Sequence, residues 1–227
     1  MWGKVLACLS VLPWSLASAA PWVQPEESYY ARTALSHESL EGNPGWRGDL
    51  YIEYGLTKTW TVTSKTETVR FSDAPLADGD GLQLNLRRER YRGPRLSVTA
   101  EIGALQGRAI VGNNGCDTPG IELRTGAGWS QKLFKQDAYF TGELVRREHE
   151  ACARNRFEFG TGRKLSRSIW LSSQVWIERG TEGARSDKIQ TEVLWRYGRH
   201  DYALGTRQET GGLFEETSVY AAYATRF

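Results

Sequence analysis

From residue 28 onward the chain alternates apolar and polar residues in segments of about ten, and no other feature constrains the fold as tightly. Leu50, Ile52, Tyr54 and Leu56 stand against Asp49, Tyr51, Glu53 and Gly55. Leu96, Val98, Ala100 and Ile102 stand against Ser97, Thr99, Glu101 and Gly103. A helix gathers every third or fourth residue on one face; a period of two is a strand with two unlike faces. The pattern predicts strands over 28–38, 47–56, 60–71, 82–91, 95–105, 121–130, 134–147, 156–163, 168–178, 188–197, 201–209 and 219–227. Segments of this length suit tilted strands crossing a bilayer, which need about 9–11 residues each.

The connections sharpen this reading. Short ones are expected near 57–59, 93–94, 131–133, 164–167 and 198–200, and longer polar ones near 39–46, 72–81, 106–119, 148–155, 180–187 and 210–216. Asn43-Pro44-Gly45, Asn113-Asn114-Gly115 and Ala77-Asp78-Gly79-Asp80-Gly81 read as turn chemistry. The last resembles the start of a calcium loop but lacks its later Glu ligand. A soluble β-sandwich also has many strands, but not this alternation of short and long connections. The expected fold is all-β: an antiparallel up-and-down transmembrane β-barrel of about 12 strands, with both termini at one end.

Ahead of the strands, Met1-Trp2-Gly3-Lys4 carries one positive charge, residues 5–16 are mostly apolar, and Ala17-Ser18-Ala19-Ala20 is small throughout. This is the layout of a secretory signal peptide, too short in its apolar run to span a bilayer as a helix. The expected division is a signal peptide over 1–19, cleaved after Ala19, and a barrel over 20–227. Val5-Leu6-Ala7-Cys8 is similar to a lipoprotein acylation motif, but Cys8 sits inside the apolar run instead of ending it. Lys and Arg total 29 against 27 Asp and Glu, a balance that argues against a nucleic-acid partner. The mean hydropathy of −0.51 is that of a soluble protein, yet transmembrane barrels share it because lipid-facing and lumen-facing residues alternate. Trp 9, Tyr 10 and Phe 7 against Met 1 suit strands and membrane-interface girdles. Trp60, Trp129, Trp195, Tyr202, Tyr223 and Phe227 are the expected outward girdle residues.

The C-terminal segment carries a family resemblance. Val219, Ala221, Tyr223, Thr225 and Phe227 share one face, and the chain stops on an aromatic. This resembles the last strand of Gram-negative outer-membrane β-barrel proteins, which ends in Phe with an aromatic or apolar residue at every second position before it. The resemblance implies that Tyr223 and Phe227 form the signal read by the barrel-assembly machinery. It implies location in the cell outer membrane after export through the cleaved signal peptide, with outer-membrane lipids as partners.

The inward face then carries the chemistry. Arg32, Asp49, Glu53, Lys65, Glu67, Arg87, Glu101, Glu122, Arg124, Glu143, Arg147, Glu158, Glu192, Arg196 and Arg207 all fall on it by parity. In an enclosed space such charges persist only paired or hydrated. They either fill a narrow lumen or line a path that selects small polar solutes. Inward glycines at 103, 126, 128, 160, 162 and 205 leave room or mark curvature. Two features strain the pattern: Arg88 and Arg90 fall on the lipid face, which implies a rim position or a bulge, and Trp170 and Trp176 fall inward. Cys116 and Cys152 fall in neighbouring external loops of an oxidising compartment, where a disulfide is expected, with reduced thiols or an intermolecular bridge as the alternatives. No four-ligand metal spacing is present and no cofactor is expected. Some twelve-stranded outer-membrane barrels are lipid hydrolases with a His and a Ser two apart on a lipid-facing strand. His37 and Ser39 have that spacing and are the candidate catalytic pair, although no orienting Asn is identifiable nearby. Three functions follow in order of preference: a narrow porin-like passive pore or transport accessory for small polar solutes, a closed structural or surface-interaction barrel, and a lipid hydrolase.

Overall fold

The structure, a computed structural model, describes residues 21–111, 118–211 and 214–227. Twelve strands follow one another: β1 (Tyr29–Leu40), β2 (Asn43–Thr57), β3 (Trp60–Phe71), β4 (Gly79–Arg92), β5 (Leu96–Gln106), β6 (Gly120–Leu133), β7 (Gln136–His149), β8 (Ala153–Lys164), β9 (Ile169–Gly180), β10 (Arg185–Tyr197), β11 (His200–Gly211) and β12 (Phe214–Arg226). Each pairs antiparallel with its neighbours in sequence, and β1 pairs with β12 from Tyr30↔Arg226 to Leu40↔Glu216, so the sheet closes on itself. The only helical pieces among the described residues are two single turns and α1 (Arg108–Val111). The barrel therefore has a terminus end, where β1 begins and β12 finishes, and a loop end opposite.

The inside and outside of this molecule are exchanged relative to a water-soluble domain. Among the described residues, buried polar and charged side chains outnumber buried apolar ones 26 to 16. Leu35, Leu84, Ile102, Leu123, Leu144 and Leu204 project outward and are exposed. Only a surrounding apolar medium makes that distribution favourable, because each exposed leucine forgoes about 1.5–3 kcal/mol of burial in water. At the terminus end the outward face turns aromatic. Trp195, Tyr202 and Tyr223 lie side by side on adjacent strands with ring centroids 5.8 and 5.4 Å apart, and His200 stacks on Tyr223. Trp60, Trp129 and Phe227 also lie on the outer surface near this end.

Strand positions agree with the sequence pattern, but strand ends at the loop end do not. The expected long connection at 39–46 is a two-residue hairpin, with Glu41 and Gly42 both at positive φ (50° and 87°). Asn43, Pro44 and Gly45 belong to β2 rather than to a turn. The connection after β7 shrinks to residues 150–152. Only 72–78 and 107–119 remain long, so the alternation of short and long is confined to two hairpins. In these places polar residues continue the ladder past the apolar belt, where composition no longer marks a strand. The turn expected at 131–133 falls at Phe134-Lys135, again with both φ positive (50° and 67°), the geometry of a two-residue hairpin. The Asn113-Asn114-Gly115 turn lies outside the described residues.

Both strained features of the pattern have explanations. Arg88 does face outward, but next to the turn at the terminus end, with its guanidinium 5.1 Å over the Trp60 ring. A bulge between Glu89 and Tyr91 shifts the register immediately after it. Trp170 and Trp176 do point inward and occupy the lumen.

Candidate functional site: the lumen

Parity places every inward charge inside the barrel, and pairing decides how it lives there. Arg87, 1% exposed, donates from Nη1 to Glu53 (2.8 Å) and from Nε to Glu101 (2.7 Å). Arg124 bridges Glu122 (3.2 Å), Glu143 and Glu158 (3.1 Å), and Arg147 reaches the other oxygen of Glu122 at 2.7 Å. Arg32 pairs with Glu192 across β1 and β10 at 2.7 Å, Lys65 pairs with Glu67, and Arg196 meets Asp201 at 3.0 Å. Arg207 donates to Glu38 at 2.6 Å. Asp49 also faces the interior. The expected charges are thus brought together in pairs and triads, all on the inner face.

Several members of these networks were not singled out from the sequence. Glu38 is completely buried and receives Arg47 as well as Arg207. Glu178 collects Arg154, Arg156 and Arg147. Glu216 receives Arg47 at 2.9 Å, and Lys188 meets Glu209 at 2.6 Å. The signal was present: Glu38 has the parity of Arg32, and Arg154 and Arg156 have the parity of Glu158. Most of these residues sit at or beyond the strand ends drawn from apolar content.

The two ends of the lumen differ. The terminus end is filled. Residues 21–27 enter the barrel there, with Pro21 and Val23 buried. The Trp22 ring meets Tyr139 edge-on at 6.0 Å, beside a cluster of Tyr139, Trp170, Leu194 and Ala203. The segment is tied by its backbone: Arg87 Nη1 donates to the Trp22 carbonyl (3.0 Å), the Gln24 N–H donates to Thr61 Oγ1 (2.9 Å), and the Glu27 N–H donates to the Gly55 carbonyl (2.9 Å). The Gln24 side-chain amide donates to Glu53. Glycines make the room. A Cβ at Gly128 would lie 2.6 Å from the Trp22 ring, and one at Gly55 would lie 1.9 Å from the Pro25 carbonyl oxygen. Other inward glycines serve the barrel wall: Gly162 accommodates the Tyr139 ring and Gly205 the Tyr220 ring.

Toward the loop end the lumen opens into a cavity of about 460 Å³, a volume typical of small-molecule sites. Its lining runs from Tyr51, Asn85 and Glu101 at mid-barrel to Leu40, Phe71 and Ala184 at the rim.

His37 and Ser39 face outward and line one shallow groove with Thr191, Thr206 and Thr217. His37 lies edge-on to Trp46 at 5.1 Å, and its cross-strand partners are Trp46 and Val219. No hydrogen bond joins His37 to Ser39, and neither cross-strand partner of the histidine has an amide or carboxylate to orient it. Cys152 is buried in the connection between β7 and β8; Cys116 lies outside the described residues. Among the described residues no group of three or more potential metal ligands gathers.

No family model matches the sequence, and no curated protein matches it. Solved structures do match, and they define the class: the fold is that of outer-membrane β-barrels. A KdgM porin in complex with disordered oligogalacturonate is 7% identical with a TM-score of 0.56, covering 85% of this chain and 98% of its own. An outer membrane channel from Pseudomonas putida F1 is 11% identical with a TM-score of 0.60, covering 94% of this chain and 100% of its own. LpxR from Salmonella typhimurium, at 8% identity and a TM-score of 0.53, covers 86% and 99%. At these identities the likeness is one of fold.

Proposed function

We propose that residues 1–19 are a cleaved signal peptide, that residues 20–227 form an integral protein of the Gram-negative outer membrane, and that this barrel is a narrow passive pore for small polar solutes. The observation that carries the pore reading is the one-ended cavity. A barrel filled only for stability has no use for about 460 Å³ of charge-lined space open toward one face. Residues 21–24 then form the constriction: they lie in the lumen without belonging to any strand, and they narrow the end opposite the cavity. The porin and channel among the similar folds, one of them captured with a bound sugar-acid oligomer, support the same reading. Tyr223 and Phe227 serve as the assembly signal, and Cys116 with Cys152 forms a disulfide between two loop-end connections.

Single-channel recording in planar bilayers tests this. Wild type is expected to conduct weakly, and a barrel beginning at Ser28 to conduct about threefold more or better, since the narrowest section limits flow. Folding of both is checked by heat-dependent electrophoretic mobility. Absence of conductance in both rejects the pore and favours the second reading, a closed structural barrel, which the filled terminus end supports. For the disulfide, thiol labelling of the denatured protein is expected only after reduction; equal labelling in both states rejects the bridge.

A further inference from the structure

We infer that the cavity is a binding site for small oxyanions, carboxylate-bearing solutes above all, and this inference rests on the pore reading. The lining is unevenly charged: among the described residues, eleven basic side chains face it against seven acidic ones. The imbalance arises from layering. The carboxylates of Glu38, Glu122, Glu143 and Glu192 anchor arginines but do not themselves line the cavity, and all four are at most 4% exposed. Their partners Arg32, Arg47, Arg124, Arg147 and Arg207 do line it. The carboxylate is held behind the lining, and the arginine it anchors borders the space. A guanidinium carries five N–H donors; Arg32 meets one carboxylate, Arg207 two, and Arg47 and Arg124 three each, fewer than those donors in every case.

The basic groups also form two facing walls. Arg32, Arg47, Lys65, Lys188 and Arg207 belong to β1, β2, β3, β10 and β11. Arg124, Arg147, Arg154 and Arg156 belong to β6, β7 and β8. In a closed barrel of twelve strands β1 and β7 are diametrically opposite. A solute in the cavity therefore meets cationic donors from both sides, an arrangement suited to a molecule bearing more than one oxyanion group. Trp176, with Lys188 Nζ 6.0 Å above its ring, stands in the wall and reports occupancy.

The experiment uses the full mature protein in detergent at low salt, with citrate, inorganic phosphate and sucrose as probes. Citrate is expected to quench tryptophan fluorescence saturably, phosphate more weakly, and sucrose not at all; Trp176→Phe removes the signal. The triple variant Lys65→Gln, Lys188→Gln, Arg156→Gln takes its positions from the more exposed members of both walls, so that the barrel survives. It is expected to weaken citrate binding about tenfold or more, the loss of at least one charge-assisted contact. Sucrose binding equal to citrate, or unchanged citrate affinity in a folded triple variant, overturns the site. Phosphate binding tighter than citrate overturns its preference for carboxylates. In bilayers under a KCl gradient the reversal potential is expected to show anion preference that fades in the triple variant. Conductance without that preference overturns this inference and leaves the pore standing. Citrate binding with no conductance leaves the site standing and removes the pore.

Discussion

The terminus end and the loop end of the lumen obey one parity rule and reach opposite results. Near the terminus end the inward positions are Tyr139, Trp170, Leu194 and Ala203, and residues 21–24 pack among them. Near the loop end the inward positions are Arg47, Arg154, Lys188, Arg207 and Glu216, with a cavity between them. Strand geometry fixes only which side chains point inward. Whether that interior becomes plug or vestibule depends on whether those side chains are apolar and interlocking or charged and paired around open space.

Stability measurements separate the two ends, read as urea unfolding of the protein in detergent micelles. Arg87→Ala should cost most, about 3–5 kcal/mol, because it abandons Glu53 and Glu101 in a buried site and releases the Trp22 carbonyl. Leu194→Ala, at a position 2% exposed in the filled cluster, should cost about 2–5 kcal/mol. Gly162→Ala should cost about 1–3 kcal/mol, since its Cβ would lie 2.1 Å from the Tyr139 ring, whereas Gly142→Ala meets nothing within 4 Å and should lose nothing. Lys65→Ala, at the cavity with a side chain 37% exposed, should cost under about 1 kcal/mol. If Lys65→Ala and Arg87→Ala prove equally costly, the distinction between the ends collapses. If Leu194→Ala is silent, the terminus end is looser than its contacts imply.

Much of this was legible in the residues. Alternation located all twelve strands and the inward direction of Arg32, Glu101, Arg124 and the other lumen charges, because a pleated strand leaves no freedom about which face a side chain takes. Strand ends were less legible: Leu40↔Asn43 and Glu148↔Ala153 are ladder pairs, yet their surroundings are polar on both faces and give no periodic contrast. Glu38 and Arg47 stand at the last and first positions of their expected strands and Glu216 beyond one, where a side chain's face is hardest to assign from the sequence. The lumenal segment was not legible at all. Residues 21–27 have no periodicity, and their place depends on space left by Gly55, Gly126 and Gly128 on distant strands. Gly126 and Gly128 were identifiable as gaps and Gly55 was not, and the identity of what fills a gap is a tertiary fact.

The seam between β1 and β12 has a consequence for how the molecule is made. It joins Tyr30 to Arg226, so the bonds that seal the sheet belong to the most sequence-distant pairings of the chain. Until β12 docks, β1 keeps an unsatisfied edge, and a partly formed sheet exposes two strand borders of the kind that recruit other chains. Slow closure follows from topology alone, whatever task the finished barrel performs.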